Sequence, residues 1–480
     1  MTQTLHDAKE EQPAPHPGAT ARRRWAILGV VLAADVLDLL DSTITNIAAP
    51  TIAADLGGGT GLIQWLGAAY ALSLGVLLVL GGRLGDKYGH RRLFLAGLGG
   101  FTAASVACGL AMNPESLVAA RLLQGAFGAL VIPQGFGILG ATWPRDQMSK
   151  AFSLFGPVMG LSAVGGPILA GFLIDADIAG LGWRPMFLIN LLLGGAALLA
   201  AARLLPRDTG DRTVSVDGPG SALLGAAMLG LLSGLIEGST HGWTTAPVLL
   251  IAAGLAFFAA FWHRQRTAEN PLIQPSLLRN RGFTSGLALG AVFFAAVAGL
   301  LYVVSLFQQQ GLGRSPAGAA LGLVPLSAGI VVASIACHQL IGRFGRRLVL
   351  AGLLITLTGT GYLLALVAIS GTDTGSWALV PPLLIVGLGM GTCFGTVYDV
   401  AIGDIAPSEA GSAGGSLGAV QQLANAVGAA AVTTVYFKAS TPGGGEAHAT
   451  VLSLTVVAAV ALLCLPLVRL LPRKAQEQHH

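Results

Sequence analysis

The sequence predicts an all-α polytopic membrane protein with two six-helix halves and an extra helix pair between them. Three observations support this fold class. The chain of 480 residues is 53% hydrophobic and only 10% charged, with a mean hydropathy of +0.71, whereas soluble proteins average about 25% charged residues. Apolar segments recur along the whole chain, and its basic residues are concentrated in alternate connections between them.

Fourteen apolar segments approach or exceed the roughly 20 residues that a helix needs to cross the hydrocarbon. We predict spans at 25–50, 61–82, 93–112, 117–140, 151–174, 185–204, 218–238, 246–263, 283–308, 317–341, 348–369, 377–402, 412–436 and 449–471. The corresponding parts of the chain are a cytosolic N-terminal tail at 1–24, an N-terminal half at 25–204, a linker with two extra spans at 205–282, a C-terminal half at 283–471 and a cytosolic tail at 472–480.

The distribution of basic residues gives the orientation. With the N-terminus in the cytosol, all but four of the 27 Lys and Arg residues fall on the cytosolic side. Arg184, Arg314 and Lys438 fall on the opposite side, and Arg121 lies inside the fourth span. The positive-inside rule therefore predicts cytosolic N- and C-termini in the cytoplasmic (inner) cell membrane. This asymmetry requires an even number of spans, and a total of fourteen instead of twelve depends on the middle pair.

An internal repeat supports the two halves. The segment "RRLFLAGL" at 91–98 recurs as "RRLVLAGL" at 346–353, with one residue changed. Each copy follows a short basic loop that contains glycine, and each begins a span. Repeated halves that enclose a site near the bilayer midplane are found in many secondary transporters.

The first span carries an unusual set of polar side chains. A charge at the bilayer centre costs roughly 2.5–3.5 kcal/mol on insertion scales, yet three aspartates lie within seven residues of this segment. On a helical wheel the polar residues occupy an arc of roughly 140°, and this stripe comprises Asp35, Asp38, Asp41, Ser42, Thr45 and Asn46. The stripe must face other helices or water. Either interhelical hydrogen bonds hold its carboxylates, or it lines a water-filled substrate cavity with at least one titrating carboxylate. We favour the second interpretation.

Arg121, in "LVAARLLQGAFGAL", is the one basic residue inside a predicted span. An unpaired arginine is costly there, so it should pair with a carboxylate or contact cavity water. The alternative is an arginine near the helix end that extends its guanidinium to the interface. Gln124, almost one turn further along, is assigned with the polar stripe to the substrate cavity.

Two further segments are candidates for conformational roles. The cytosolic loop "GGRLGDKYGHRR" (81–92) combines glycines with an acid that could cap a helix or join the halves, and its candidate residues are Gly82, Arg83, Asp86, Gly89, Arg91 and Arg92. The span-five segment "GPVMGLSAVGGPILAG" (156–171) presents small residues and prolines, which predict close helix packing and a kink. Packing alone and a role in conformational exchange are equally compatible with its candidate residues Gly165, Gly166, Pro167 and Gly171.

Other functional classes lack support in the sequence. We find no Walker motif, metal-ligand spacing or Ser/His/Asp arrangement, and the four cysteines lie far apart in apolar runs, typical of small buried side chains. The positive charge follows the cytosolic loops, so it does not indicate nucleic-acid binding. No cofactor is expected.

Taken together, these motifs resemble the fourteen-spanner drug/proton antiporters of the major facilitator superfamily, which include multidrug and antibiotic efflux proteins. "LDSTITNIAAP" (40–50) resembles their span-one signature, and the loop at 81–92 resembles the superfamily's loop motif. "RLLQGAFGAL" (121–130) resembles the span-four motif, "GLSAVGGPILAG" (160–171) the span-five antiporter motif, and "WRPMFLINLLLG" (183–194) the start of span six.

The resemblance implies the major facilitator fold and a proton-coupled antiporter that exports a hydrophobic or amphipathic drug by alternating access, driven by the proton gradient. By resemblance, Asp41 and Arg121 take part in proton coupling and Asp86 latches the halves. Asp35 and Asp38 are not required by the signature, so their roles stay open. The expected partners are the substrate, protons and the lipid bilayer, and we expect a monomer. A proton symporter of a small nutrient and a membrane-embedded enzyme are the alternatives; the span-five motif disfavours the first, and the lack of a catalytic arrangement disfavours the second.

Overall fold

The computed structural model describes residues 21–144, 147–337, 340, 344–402, 405–406, 409–440 and 445–472. Helices lie over each of the fourteen predicted segments. Within the described residues the helices are α1 Ala21–Leu56, α2 Gly59–Tyr88, α3 His90–Gly109, α4 Pro114–Thr142, α5 Met148–Phe152, α6 Phe155–Asp175, α7 Pro185–Leu204, α8 Gly218–His241, α9 Thr245–Thr267, α10 Pro275–Arg279, α11 Arg281–Leu306, α12 Pro316–Gly322, α13 Val324–Cys337, α14 Arg346–Ser370, α15 Val380–Ile402, α16 Ala410–Ala439 and α17 Gly445–Val468.

Ten helices in the described ranges are long and apolar enough to cross a membrane. They are Trp65–Tyr88, His90–Gly109, Pro114–Thr142, Pro185–Leu204, Gly218–Ser239, Thr245–Thr267, Arg281–Gly311, Arg346–Asp373, Ser376–Ile402 and Gly445–Val468. The total of fourteen spans and the cytosolic position of the termini stay predictions, and most of the two predicted tails lies outside the described residues.

The helices on either side of α8 and α9 pack in equivalent ways. In the first group α4 packs between α2 and α3, and in the second α15 packs between α13 and α14. Gly97 and Gly352 hold the same position in the two copies of the repeat. A Cβ on Gly97 would lie 3.0 Å from the Phe127 carbonyl oxygen of α4, and one on Gly352 would lie 2.8 Å from the Gly389 carbonyl oxygen of α15. Each repeat therefore uses its glycine for the same close helix contact.

The two groups meet where α2 and α4 contact α16 and where α6 contacts α13. At the end of the bundle that carries Asp86, α2 and α16 approach within backbone contact. A Cβ on Gly82 would lie 2.6 Å from the Gly411 carbonyl oxygen, and one on Gly415 would lie 2.5 Å from the Leu78 carbonyl oxygen. The halves are thus closed against each other at this end, which we name the Asp86 end.

Gly82→Val is expected to separate the halves at the Asp86 end, because the new side chain has no space against α16. Overpacking of this kind costs about 1–3 kcal/mol, so we expect the equilibrium to shift roughly five- to 150-fold towards the separated arrangement. Distances between spin labels on the two halves, measured by pulsed electron resonance, test this. Gly195→Val is the matched control, because nothing lies within 4 Å of its Cβ position. Equal distance distributions in the two variants would contradict the prediction.

The middle pair α8–α9 packs against both halves, since α8 contacts α2 and α16. Asp217 caps the start of α8 by accepting a hydrogen bond from the Gly220 N–H (3.0 Å), and its carboxylate pairs with Arg264 of α9 at 2.7 Å. At the other end of the pair, Trp243 Nε1 donates to Thr434 Oγ1 of α16 (2.7 Å). Burial acts to raise the pKa of the Asp217 carboxyl, but the hydrogen bonds from Arg264 and Gly220 outweigh burial and hold that pKa below its usual value.

Asp217→Ala is expected to destabilise the pair by about 1 kcal/mol at pH 7, the typical value of a lost N-cap. Because the folded-state pKa is depressed, the contribution of Asp217 is present above the unfolded-state pKa and is lost as the pH falls through the folded-state value. The melting-temperature difference between wild type and variant should therefore shrink in acid. Asp373→Ala provides a control carboxylate in a different connection. A difference that stays constant to the lowest pH would contradict this assignment.

Candidate functional site

A buried polar cluster lies inside the N-terminal half, where α1, α3, α4 and α7 meet. It contains an ion pair and three neutral polar side chains, each no more than 3% exposed: Asp41, Ser105, Arg121, Gln124 and Asn190. We call this group the Asp41 cluster. Because the surrounding helices are apolar, each polar group must find its partner within the cluster or on nearby backbone.

Both carboxylate oxygens of Asp41 have partners. Oδ2 forms an ion pair with Arg121, and Oδ1 accepts hydrogen bonds from Gln124 Nε2 and Asn190 Nδ2, each at 2.8 Å. Arg121 also donates from Nε to the Leu66 carbonyl oxygen (3.1 Å) and from Nη1 to Gln124 Oε1 (2.6 Å). The amides therefore hold the pair in place, and the two charges compensate each other.

Tyr70 of α2 connects a second carboxylate to this cluster. Its ring centroid lies 4.5 Å from the Arg121 guanidinium carbon, a cation–π contact. Its hydroxyl donates a hydrogen bond to Asp38, which is partly buried beside a small apolar cavity between α1, α3 and α4. Tyr70 therefore contacts both the Asp38 carboxylate and the guanidinium that pairs with Asp41.

The rest of the predicted polar stripe makes fewer contacts with other helices. Ser42 donates to the Leu39 carbonyl oxygen (2.9 Å), and buried Thr45 donates to the Asp41 carbonyl oxygen (2.7 Å), both within α1. Asp35 is partly exposed and makes no hydrogen bond or ion pair among the described residues. The Asn46 side chain lies outside the described part of the chain. Of the predicted cavity residues, Gln124 lies within the buried cluster, where its amide donates a hydrogen bond to Asp41.

The loop motif forms a contact between the halves. Asp86 of α2 accepts a hydrogen bond from the Ser412 hydroxyl of α16. The basic side chains beside its carboxylate are Arg83 at 3.8 Å and His90 at 3.7 Å, both from its own half. The contact between halves is thus a hydrogen bond to a serine. Gly89 has a φ of +95°, which permits the sharp turn from α2 to α3. Arg91 bonds the Ala202 carbonyl oxygen (2.7 Å), and Arg92 is exposed.

The segment between α7 and α8 docks on this same loop, a contact that the sequence did not predict. The Asp208 carboxylate accepts hydrogen bonds from the backbone N–H groups of His90 and Arg91 and so caps the start of α3. The Asp211 N–H donates to the Asp86 carbonyl oxygen (2.9 Å). Arg83 bonds the Ser215 carbonyl oxygen (3.2 Å). The loop motif therefore contacts the other half and the connecting segment at once.

The span-five motif places small residues against both α1 and the opposite half. A Cβ on Gly166 would overlap the Thr43 hydroxyl of α1, while the nearest atom to a Cβ on Gly165 is Leu40 Cδ2 at 3.7 Å. Thr43 lies two residues after Asp41, so α6 supports the helix that carries this carboxylate. The side chain of Pro167 and the surroundings of Gly171 lie outside the part of the chain that the structure describes.

Four residues that complete these contacts were missed by the sequence analysis: Tyr70, Ser105, Asn190 and Ser412. Asn190 offered a signal, because it is the one amide in the apolar segment "MFLINLLLG" (186–194). Tyr70, Ser105 and Ser412 are neutral residues that occur on any helix face. Only the packing of the helices identifies their partners.

The fold and these motifs agree with the comparisons. Residues 31–429 match the Major Facilitator Superfamily family. A probable actinorhodin transporter of Streptomyces coelicolor is 44% identical over 89% of this chain and 76% of its own length. The tetracenomycin C resistance and export protein of Streptomyces glaucescens is 33% identical over 90% of this chain and 79% of its own.

Solved structures show the same architecture at lower identity. The human organic anion transporter TETRAN superposes with a TM-score of 0.66 at 17% identity, covering 93% of this chain and 99% of its own. The proton:xylose symporter XylE superposes with a TM-score of 0.65 at 14% identity, covering 93% of this chain and 95% of its own. The family match spans most of the chain, and the helical architecture agrees with it. The chain is a membrane transporter that belongs to the major facilitator superfamily.

Proposed function

We propose that this transporter is an antiporter that exports an antibiotic or similar amphipathic compound across the cytoplasmic membrane in exchange for protons. The observation that carries the proposal is the Asp41–Arg121 pair, buried inside the N-terminal half and held by two amides. A buried ion pair is expensive to maintain, and ionisable groups inside membrane segments mark ion and proton pathways. The relatives named for antibiotic export and resistance support the direction and the substrate class.

Protonation of Asp41 would remove the negative charge that compensates Arg121. The guanidinium would then keep only neutral partners, Gln124 and the Leu66 carbonyl oxygen. The ion pair and the protonated pair therefore favour different arrangements of α1 and α4. Because α6 packs on α1 at Thr43 and on α13 of the other half, this difference can reach the interface between the halves.

Alternating access then requires the halves to separate at one end while they close at the other. We place the Asp86 end in the cytosol, in agreement with the distribution of basic residues. In the closed arrangement Asp86 bonds Ser412, and this bond must break before the substrate enters from the cytosol. The proton gradient supplies the energy, and the cycle needs no cofactor.

Transport by purified protein in proteoliposomes tests this function. An imposed proton gradient should drive accumulation of a fluorescent amphipathic dye against its concentration gradient, in the direction opposite to proton flow. Accumulation in the direction of proton flow would identify a symporter. Dye movement that is independent of the gradient would contradict proton coupling, and no dye movement with a panel of amphipathic compounds would contradict drug export.

Tyr70→Phe is expected to remove the influence of Asp38 on the Asp41–Arg121 pair. The substitution removes the hydroxyl bond to Asp38 and keeps the ring over Arg121. We expect transport to continue with its pH optimum moved by roughly one pH unit, the change that corresponds to about 1.4 kcal/mol. Tyr302→Phe is the control, since Tyr302 is an exposed tyrosine of the other half. An unchanged pH profile in Tyr70→Phe would show that the hydrogen bond between Tyr70 and Asp38 does not influence the cycle.

A further inference from the structure

Four aromatic rings from both halves meet at the Asp86 end. They are nearly fully buried, at 6% exposure or less, and come from α4, α5, α6 and α15: Phe136, Phe152, Phe155 and Tyr398. Phe136 stacks on Phe155 with centroids 5.6 Å apart and planes 15° apart, and on Tyr398 at 5.7 Å and 16°. We call this group the inter-half ring cluster.

The stack depends on the closed arrangement, because Tyr398 belongs to the C-terminal half and the other three rings to the N-terminal half. A Cβ on Gly414 of α16 would overlap Phe136, so the Phe136 ring fits closely between Gly414, Phe155 and Tyr398. When the halves separate at this end, Phe136 and Tyr398 no longer stack on each other, and one face of each ring is uncovered. These faces then border the path between the halves.

The chemistry of the uncovered surface selects a class of ligand. Bulky apolar side chains of any kind would be enough to close the contact between the halves. Near-parallel rings in addition favour flat aromatic partners in offset stacking. A polar group lies beside this surface, since the Tyr398 hydroxyl donates to Gln421 Oε1 (3.0 Å). The site therefore offers two ring faces and a polar edge.

We propose that the inter-half ring cluster is a binding site for planar polycyclic aromatic compounds, and that such a ring system takes the place of the Phe136–Tyr398 stack when the Asp86 end is open. The inference rests on the proposed function for the separation of the halves, and it adds the substrate class. The rings serve as the gate in the closed protein and as the first binding surface in the open one.

Equilibrium binding to the purified full-length protein tests the proposal without any proton gradient, so a failure of proton coupling does not affect the result. The probes are proflavine, a planar cation, and a hydroxyanthraquinone, a planar neutral compound, followed by fluorescence. An adamantyl ammonium and a saturated steroid serve as non-planar counterparts in competition. We expect wild type to bind the planar member of each pair more tightly. Equal or weaker planar binding would overturn the proposal.

Single substitutions then locate the site. Phe136→Leu and Tyr398→Leu should each weaken planar binding roughly three- to tenfold, the effect of losing one stacked pair, and leave the non-planar ligands within roughly twofold. Tyr398→Phe keeps the ring and should keep planar binding. Phe293→Leu is the matched control, because Phe293 contacts Phe294 and Phe394 inside the C-terminal half. Equal weakening of planar and non-planar ligands, or unchanged planar binding in both leucine variants, would show that the rings act only as a gate.

Discussion

Asp41→Asn is expected to abolish accumulation driven by the proton gradient while substrate exchange without a gradient continues. The amide has nearly the volume of the carboxylate, so the cluster can keep its packing, at a cost in stability because Arg121 loses its counter-charge. The amide cannot take up and release a proton. Coupled accumulation should fall at least tenfold, which corresponds to about 1.4 kcal/mol. Dye uptake and counterflow in the same proteoliposomes measure the two activities separately.

The matched control for this change is Asp55→Asn on the same helix. Asp55 does not belong to the Asp41 cluster. Its carboxylate accepts hydrogen bonds from Trp183 (2.9 Å) and Arg184 (3.1 Å), and its pKa is lowered chiefly by the Trp183 hydrogen bond. We expect its variant to keep coupled transport. Full coupled accumulation in Asp41→Asn would remove Asp41 from the proton pathway, and loss of both activities would indicate a structural role.

Arg121→Met is expected to destabilise the protein by about 3–5 kcal/mol, because it leaves a buried carboxylate without its counter-charge. The surrounding groups cannot replace that charge, since Gln124, Asn190 and Ser105 are neutral. Thermal unfolding of the detergent-purified protein should show a large loss, with no coupled transport at any temperature.

The double variant Asp41→Asn with Arg121→Met distinguishes the contribution of the two charges to stability from the contribution of side-chain packing. It removes both charges and keeps similar side-chain volumes, so most of the lost stability should return while coupled transport stays absent. Replacement of a complete buried pair by neutral groups is often tolerated, whereas removal of one partner is not. A double variant as unstable as Arg121→Met would show that the guanidinium contributes mainly through its contacts with Leu66 and Tyr70.

Much of this molecule could be predicted from sequence because lipid imposes simple constraints. Helices of spanning length must be apolar, so a buried charge such as Arg121 stands out, and its expected pairing with a carboxylate is what the structure contains. The repeat also predicted equivalent helix starts, and Gly97 and Gly352 share the same packing role.

The remaining features depend on relations between helices that composition does not encode. Asn190 and Ser105 are neutral, so their position costs little and gives a weak signal. The rings of Phe136 and Tyr398 look like any apolar residues until the two halves are placed together. In the sequence, the segment that carries Asp208 and Asp211 is a polar connection between two spans. Its contact with the α2–α3 turn is made by hydrogen bonds to the backbone, which the sequence does not indicate.

The attachments of the middle pair have a mechanical consequence. Near the Asp86 end, the segment leading into α8 is bound to the N-terminal half through Asp208 and Asp211, whereas at the opposite end Trp243 holds the pair to α16 of the C-terminal half. If the halves rock, the pair must tilt or one attachment must yield. Its outer surface on α9 is apolar and exposed, with Leu249, Leu255 and Phe258 at 63%, 56% and 44%. Tilting this surface deforms the lipid around it, so turnover should vary with bilayer thickness.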